Sequence, residues 1–85
     1  MNEYNDNEIE GNKILREQLK FYKDNDLPIH IDKTNGFFCN GKVLEVQGDM
    51  LILDDFKVGA MPIHFIEIKV LEKFKEKGVG GYGGN

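Results

Sequence analysis

Cys39 is the only cysteine in the chain. No internal disulfide can form, and a reducing compartment is the expected setting. No run of about 18 apolar residues occurs, so no membrane-spanning helix is expected. Surplus positive charge is also missing. The net charge is −4, which excludes the strongly basic footprint of a typical nucleic-acid binder. Four Lys/Arg face seven Asp/Glu in residues 1–26, and the same numbers recur in 27–72. Only residues 73–85 reverse the sign, with three lysines against Glu76. The opening stretch MNEYNDNEIE is acidic and polar, the opposite of a secretory signal. The expected address is the cytoplasm.

Eighty-five residues allow one domain at most. Residues 1–6 read as a flexible N-terminus, and 7–72 as the domain, with a helix over 7–24 and strands over 28–72. Residues 73–85 read as a basic, then glycine-rich, flexible tail, with too few apolar side chains to offset its ordering entropy. Asn7 and Glu10 form a capping-box-like pair that predicts the helix start. Leu15, Leu19 and Tyr22 share one stripe, which Ile14 and Phe21 widen. Lys13, Arg16, Lys20 and Lys23 lie on the other side and read as a solvated face. Gly11 weakens the helix by about 1 kcal/mol relative to alanine. Pro28 predicts its end, because the residue before proline avoids helical geometry.

The strand zone is punctuated by turns. Ile29 and Ile31 alternate with His30 and Asp32. Asn35-Gly36 follows, a hairpin signal in which both residues tolerate positive φ. The next strand, Phe37 to Val46, does not hold one phase. Phe37, Cys39 and Val43 share one parity; Phe38, Leu44 and Val46 share the other. Gly41 stands between the two parts, where a bulge or bend lets one strand serve two faces of a curled sheet. Residues 47–49 turn again. Met50 to Leu53 is apolar on both parities, so it is expected to be buried on both faces or under the helix. After another turn at 54–59, Ala60 to Phe65 forms a fourth strand, with Pro62 on an edge. The phase slips between Phe65 and Ile66, predicting a tight corner into a fifth strand. Five short, cornered strands favour a small curled barrel.

One helix followed by five bent strands resembles the Sm-like family over roughly residues 8–72. The most specific part is NGFFCNGKVLEVQGDMLILDD, where Gly36, Gly41 and Val43 match the family's glycine and apolar spacing. The resemblance implies a mainly β fold: an N-terminal α-helix, then a five-stranded, strongly bent small barrel. It also implies a uridine site in the turn between the second and third strands. Asp49 and Met50 stand there in compressed form, beside Gln47. Leu51 replaces the family's asparagine, no aromatic is available to stack, and His64-Phe65-Ile66-Glu67 stands where an arginine-glycine pair is usual. The family further implies a homo-oligomeric ring of about five to seven subunits. Its fourth and fifth strands would join between neighbours through Ile63, His64, Phe65, Ile68 and Val70.

Other chemistry finds little support. His30, Asp32, Cys39 and His64 lack the close ligand spacing of a zinc site, so no metal and no cofactor is expected. Both histidines read as solvent-facing strand positions, and Cys39 as a small buried hydrophobe. Asp54 and Asp55 are adjacent and point to opposite faces of a strand, so they read as a solvated turn rather than a catalytic pair. Lys73, Lys75 and Lys77, with Tyr82 in the tail, are candidates to steer phosphates and stack a base. The expected function is a non-enzymatic, oligomeric Sm-like protein that is nucleic-acid-associated or a scaffold. Single-stranded RNA is its candidate partner, contacted by Gln47, Asp49, Met50, His64, Lys73, Lys75, Lys77 and Tyr82. The alternative is a protein-interaction module that binds no nucleic acid.

Overall fold

The computed structural model describes residues 3–75. The elements are α1 (Glu3–Asp24), β1 (Ile29–Lys33), β2 (Phe38–Gln47), β3 (Met50–Asp55), β4 (Gly59–His64), a 3₁₀ turn (Phe65–Glu67) and β5 (Ile68–Lys73). The protein is mainly β. Its five strands form one antiparallel sheet in the order β4-β3-β2-β1-β5. The sheet is bent but not closed, and β4 and β5 are its two edges. The phase slip read between Phe65 and Ile66 is the 3₁₀ turn. The glycine-rich tail, with Lys77 and Tyr82, lies outside the described residues.

α1 begins at Glu3, four residues before the expected cap at Asn7. The pair Asn7 and Glu10, read as the helix start, therefore lies inside the helix. The far end is closed by a Schellman arrangement. The Asp26 N–H donates to the Lys23 carbonyl at 3.1 Å, and that of Leu27 donates to Tyr22 at 2.9 Å. Asp26 takes the required positive φ of 55°. Leu19 is fully buried, and Leu15 and Tyr22 pack beside it. Burying such a side chain contributes about 1.5–3 kcal/mol. Ile14 and Phe21, expected to widen this stripe, are instead more than half exposed.

Leu19 joins Ile29, Ile31, Cys39, Val43, Leu51, Leu53, Ile63 and Phe65 in a single core. Met50 and Ile52 are only half-buried, so β3 has one core face rather than the two its apolar run implied. β2 changes phase at Leu44. Val43 pairs with Leu53 and Glu45 with Ile52, which leaves Leu44 as the extra residue of a bulge. Cys39, Gly41 and Val43 face inward before it, and Val46 after it. The slip therefore lies three residues beyond Gly41, which keeps normal register with both Ile29 and Asp55.

The hairpin at Asn35-Gly36 also differs in detail from a two-residue turn. The Gly36 N–H donates to the Lys33 carbonyl at 3.0 Å, and Lys33 N–H to Phe37 at 2.8 Å. Only Gly36 has positive φ, at 92°. Asn35 contributes its side chain instead: Oδ1 accepts the Phe37 N–H at 3.0 Å. The loop is a three-residue connection with glycine at its left-handed position.

Candidate functional site

The expected RNA residues separate into two places. The β2–β3 turn and the 3₁₀ turn meet at one end of the sheet. The Phe65 N–H donates to the Asp49 carbonyl at 2.8 Å, and Met50 pairs with His64 across β3 and β4. Gln47 is at the end of β2, and its amide donates to the Glu45 carboxylate at 2.8 Å. Arg16 on α1, read as part of a solvated face, donates from Nε to the Gly48 carbonyl at 3.1 Å. Gln47, Asp49, Met50 and His64 are thus neighbours. The cleft between the turns is about 270 Å³ and is lined by Asn12, Asp49, His64, Phe65 and Ile66. That lining includes no lysine or arginine; its phenyl ring, Phe65, belongs to the core, and its exposed ring is the His64 imidazole.

Lys73 and Lys75 lie elsewhere. Lys73 is at the far end of β5 from the 3₁₀ turn, about 17 Å along the strand from Ile68. Ile63 and Phe65, expected at a subunit interface, are enclosed in the chain's own core. Ile68 is half-buried against that core, while His64 and Val70 are exposed.

A larger surface surrounds Lys73 and Lys75. Two adjoining grooves share Asn40 and Phe74 in their linings. One, about 550 Å³, is lined by His30, Asn40, Glu72, Lys73, Phe74 and Lys75. The other, about 480 Å³, includes Phe37, Phe38, Phe56 and Lys57. Phe37 is 71% exposed, Phe38 61% and Phe56 55%, far from the usual fate of a large apolar side chain. Among the six phenylalanines, Phe65 alone is buried. The Phe56 and Phe74 rings meet edge to face at 5.5 Å. This joins the turn after β3 to the segment after β5. The Phe74 N–H donates to the Pro28 carbonyl at 3.0 Å, which anchors that segment beside β1.

His30 and Asn40 stand opposite each other in the β1–β2 pairing. His30 Nδ1 is 2.6 Å from Asn40 Oδ1, and Nε2 is 2.8 Å from Asp32 Oδ1. Both ring nitrogens face acceptors, an arrangement suited to the doubly protonated ring. The Asn40 hydrogen bond raises the His30 pKa above its ordinary value; burial opposes the rise and Asp32 adds to it. Phe38 lies beside the ring at 5.6 Å.

Asp55 is a structural carboxylate. It accepts N–H groups from Lys57 at 2.9 Å, Val58 at 3.1 Å and Asn40 at 3.2 Å. Desolvation works to raise its pKa, but these donors outweigh it and the net shift is downward. Cys39 is buried, and its desolvation pushes the thiol pKa up, away from the reactive thiolate. Among the described residues, no three His, Cys, Asp or Glu side chains gather as metal ligands. No helix among them is long and apolar enough to cross a membrane. Neither a family model, nor a curated protein, nor a solved structure matches this chain.

His30, Asn40, Phe38, Phe56 and Phe74 were not singled out in sequence as one surface. A signal was nevertheless present. Phe37 and Phe38 follow a turn glycine, and Phe56 sits inside a turn, where large apolar residues have no ready path to a core.

Proposed function

We propose that the chain is a protein-interaction module built on a small, bent β-sheet, a divergent Sm-like one, acting in the cytoplasm. The carrying observation is the exposed aromatic surface of Phe37, Phe38 and Phe56 along the double groove. Contiguous apolar surface on a small domain marks a site that a partner covers, and aromatic residues are the usual anchors of protein interfaces. The element order supports the Sm-like part of the reading, because a helix followed by five bent strands is what that resemblance implies. The buried cysteine suits a reducing compartment.

RNA receives less support. The turn cleft has neither a lysine nor an arginine in its lining, its exposed ring is the His64 imidazole alone, and the chain is acidic overall. Phosphate contacts supply most of the affinity of nucleic-acid binders. The lysines beside the aromatic groove, Lys57, Lys73 and Lys75, share it with Glu72 and Asp55.

Selection of displayed random peptides on the full chain, counter-selected on a Phe38→Ser/Phe56→Ser variant, tests the reading. Both side chains are exposed, so circular dichroism should show the variant folded. Peptides that bind the unmodified chain and lose at least tenfold on the variant are expected. Short uridine-rich or adenine-rich RNA that binds instead, with steep salt dependence and loss in the same variant, would overturn the protein reading in favour of nucleic acid.

A further inference from the structure

The two edges of the sheet are unequal. In an antiparallel ladder, residues alternate between hydrogen-bonded and non-hydrogen-bonded pairs. The Phe65 N–H bonds to Asp49, and the β3–β4 register places Leu51 opposite Ile63 and Leu53 opposite Met61. Ile63 and Met61 therefore turn their backbone groups toward β3. Ala60, Pro62 and His64 turn theirs to the free edge. Pro62 has no N–H, and the His64 N–H donates to the Glu67 carboxylate at 3.2 Å. Only Ala60 retains an open donor on that edge. The β4 edge is largely disarmed, as exposed edges in proteins tend to be.

The β5 edge is not. Phe74 donates to Pro28, and the β1–β5 register continues through His30 opposite Glu72 and Asp32 opposite Val70. Phe74, Glu72 and Val70 thus face β1. Leu71 and Lys73 present both N–H and C=O outward. Lys69 is the residue passed over by the register shift between Asp32 and Lys33. Side chains along this edge alternate too. Beyond the shift, Leu71, Lys73 and Lys75 share one parity and Val70, Glu72 and Phe74 the other; Lys69, at the irregularity, belongs to neither row. Among the described residues, Lys69, Lys73 and Lys75 have no carboxylate within ion-pair distance.

A second β5 is a poor occupant. Pairing Leu71 with Leu71 places Lys69 opposite Lys73 twice. Pairing Leu71 with Lys73 places Glu72 opposite Glu72. Like charges directly opposite are destabilising. A neighbour's β4 is also a poorer partner, because Pro62 and His64 offer carbonyls there but no free N–H.

We propose that the β5 edge accepts, as a sixth strand, an extended segment of a partner protein that alternates acidic and apolar residues. The inference rests on the interaction-module reading. The acidic row meets Lys73 and Lys75, and the apolar row meets Val70 and Phe74. Phe74 lines both grooves, so the added strand runs into the aromatic surface. Main-chain bonds supply affinity in such additions, and alternate side chains supply selectivity.

A fluorescein-labelled nine-residue peptide of alternating Glu and Val, titrated into the full chain, is the probe. A Lys/Val peptide of the same pattern is its control. Saturable binding of the Glu/Val peptide, at least tenfold tighter than the control, is expected. Hydrogen exchange should slow at the Leu71 and Lys73 amides when it binds. Lys73→Pro removes an outward N–H without touching the β1 ladder and should weaken binding at least tenfold. Should that variant misfold, Lys73→Glu/Lys75→Glu keeps the backbone intact and should reverse the preference between the two peptides. Equal binding of both peptides, or no binding of either, would overturn the proposal. Binding lost in Phe38→Ser/Phe56→Ser but unchanged in Lys73→Pro would overturn strand addition while leaving the interaction module standing. Protection of Leu71 and Lys73 in the chain alone, at a light-scattering mass of several subunits, would also overturn it, because a second copy would then hold the edge.

Discussion

The turn at Gly36 and the strand crossing at Gly41 lie five residues apart on one hairpin, and glycine serves them in opposite ways. At Gly36 the backbone needs φ of 92°, and a Cβ would meet nothing within 4 Å. At Gly41 no positive φ is involved, but there is no room. A Cβ there would overlap the Asp54 carbonyl oxygen and stand 2.7 Å from its carbon and 2.9 Å from Asp55 Cα. One position is conformationally demanding and sterically open; the other is the reverse. The bend of the sheet is the reason for the second. Where β2 and β3 curl together, the backbone of one strand occupies the space a side chain on the other would fill.

Substitution at the crossing carries the largest expected effect. In Gly41→Ala, the obstructing atoms are backbone, so relief requires β2 and β3 to separate at the Gly41–Asp55 pair. Destabilisation of about 3 kcal/mol is expected, at the upper end for overpacking. Urea denaturation measures it, with circular dichroism to verify the fold. An unchanged midpoint would mean that the close approach at Asp54 does not constrain the strands.

Gly36→Ala separates strain from crowding. Left-handed geometry costs a side-chain-bearing residue about 1–2 kcal/mol, and nothing nearby adds to that. Gly36→Asn should cost less, because asparagine tolerates this region better. If alanine and asparagine are equally disruptive at position 36, a steric contact rather than φ governs the turn. If Gly36→Ala exceeds Gly41→Ala, the contrast between the two glycines is itself inverted.

Both glycines were legible in the sequence as necessary, but only one for its reason. Asn-Gly reports a turn directly, since the requirement is local. Gly41 looked like the point where β2 changes phase. The phase in fact changes at Leu44, and Gly41 answers to atoms thirteen and fourteen residues further along the chain. A contact of that kind leaves no local signature. The element order and core residues such as Leu19, Ile29 and Ile31 followed from periodicity, whereas Leu51 stood in a run that showed none. The resemblance named Asp49 and His64 as expected RNA residues, and the turns that carry them adjoin in the fold. The aromatic groove followed from neither, because Phe38 was read on one of two faces of β2 and Phe56 as part of a turn, and only the folded chain brings them to one groove. Asp55 was read as a solvated turn residue, yet it caps three amides, a role that depends on where β2 passes.

Asp55 sharpens the comparison with the smallest effect, because its carboxylate holds the crossing at Gly41 from the other side. Its Oδ1 accepts the N–H of Asn40, the neighbour of Gly41, while Oδ2 closes the turn after β3. Asp55→Asn keeps one acceptor oxygen and loses the charge and the second acceptor, so about 1 kcal/mol of destabilisation is expected at neutral pH. The pH dependence follows from the sign of the shift. The folded-state pKa lies below the ordinary value of 3.8. The unfolded chain therefore takes up its proton first as pH falls. The stabilisation is fully present well above 3.8 and disappears as pH drops through the lower folded value. The difference between the parent chain and Asp55→Asn should accordingly be constant from about pH 7 to 5 and narrow below about pH 4. Denaturation midpoints of both proteins at pH 7, 5 and 3 measure it. A difference that stays the same at pH 3 would show that the ionised carboxylate is not what secures Asn40, leaving the packing at Gly41 as the sole restraint on that crossing.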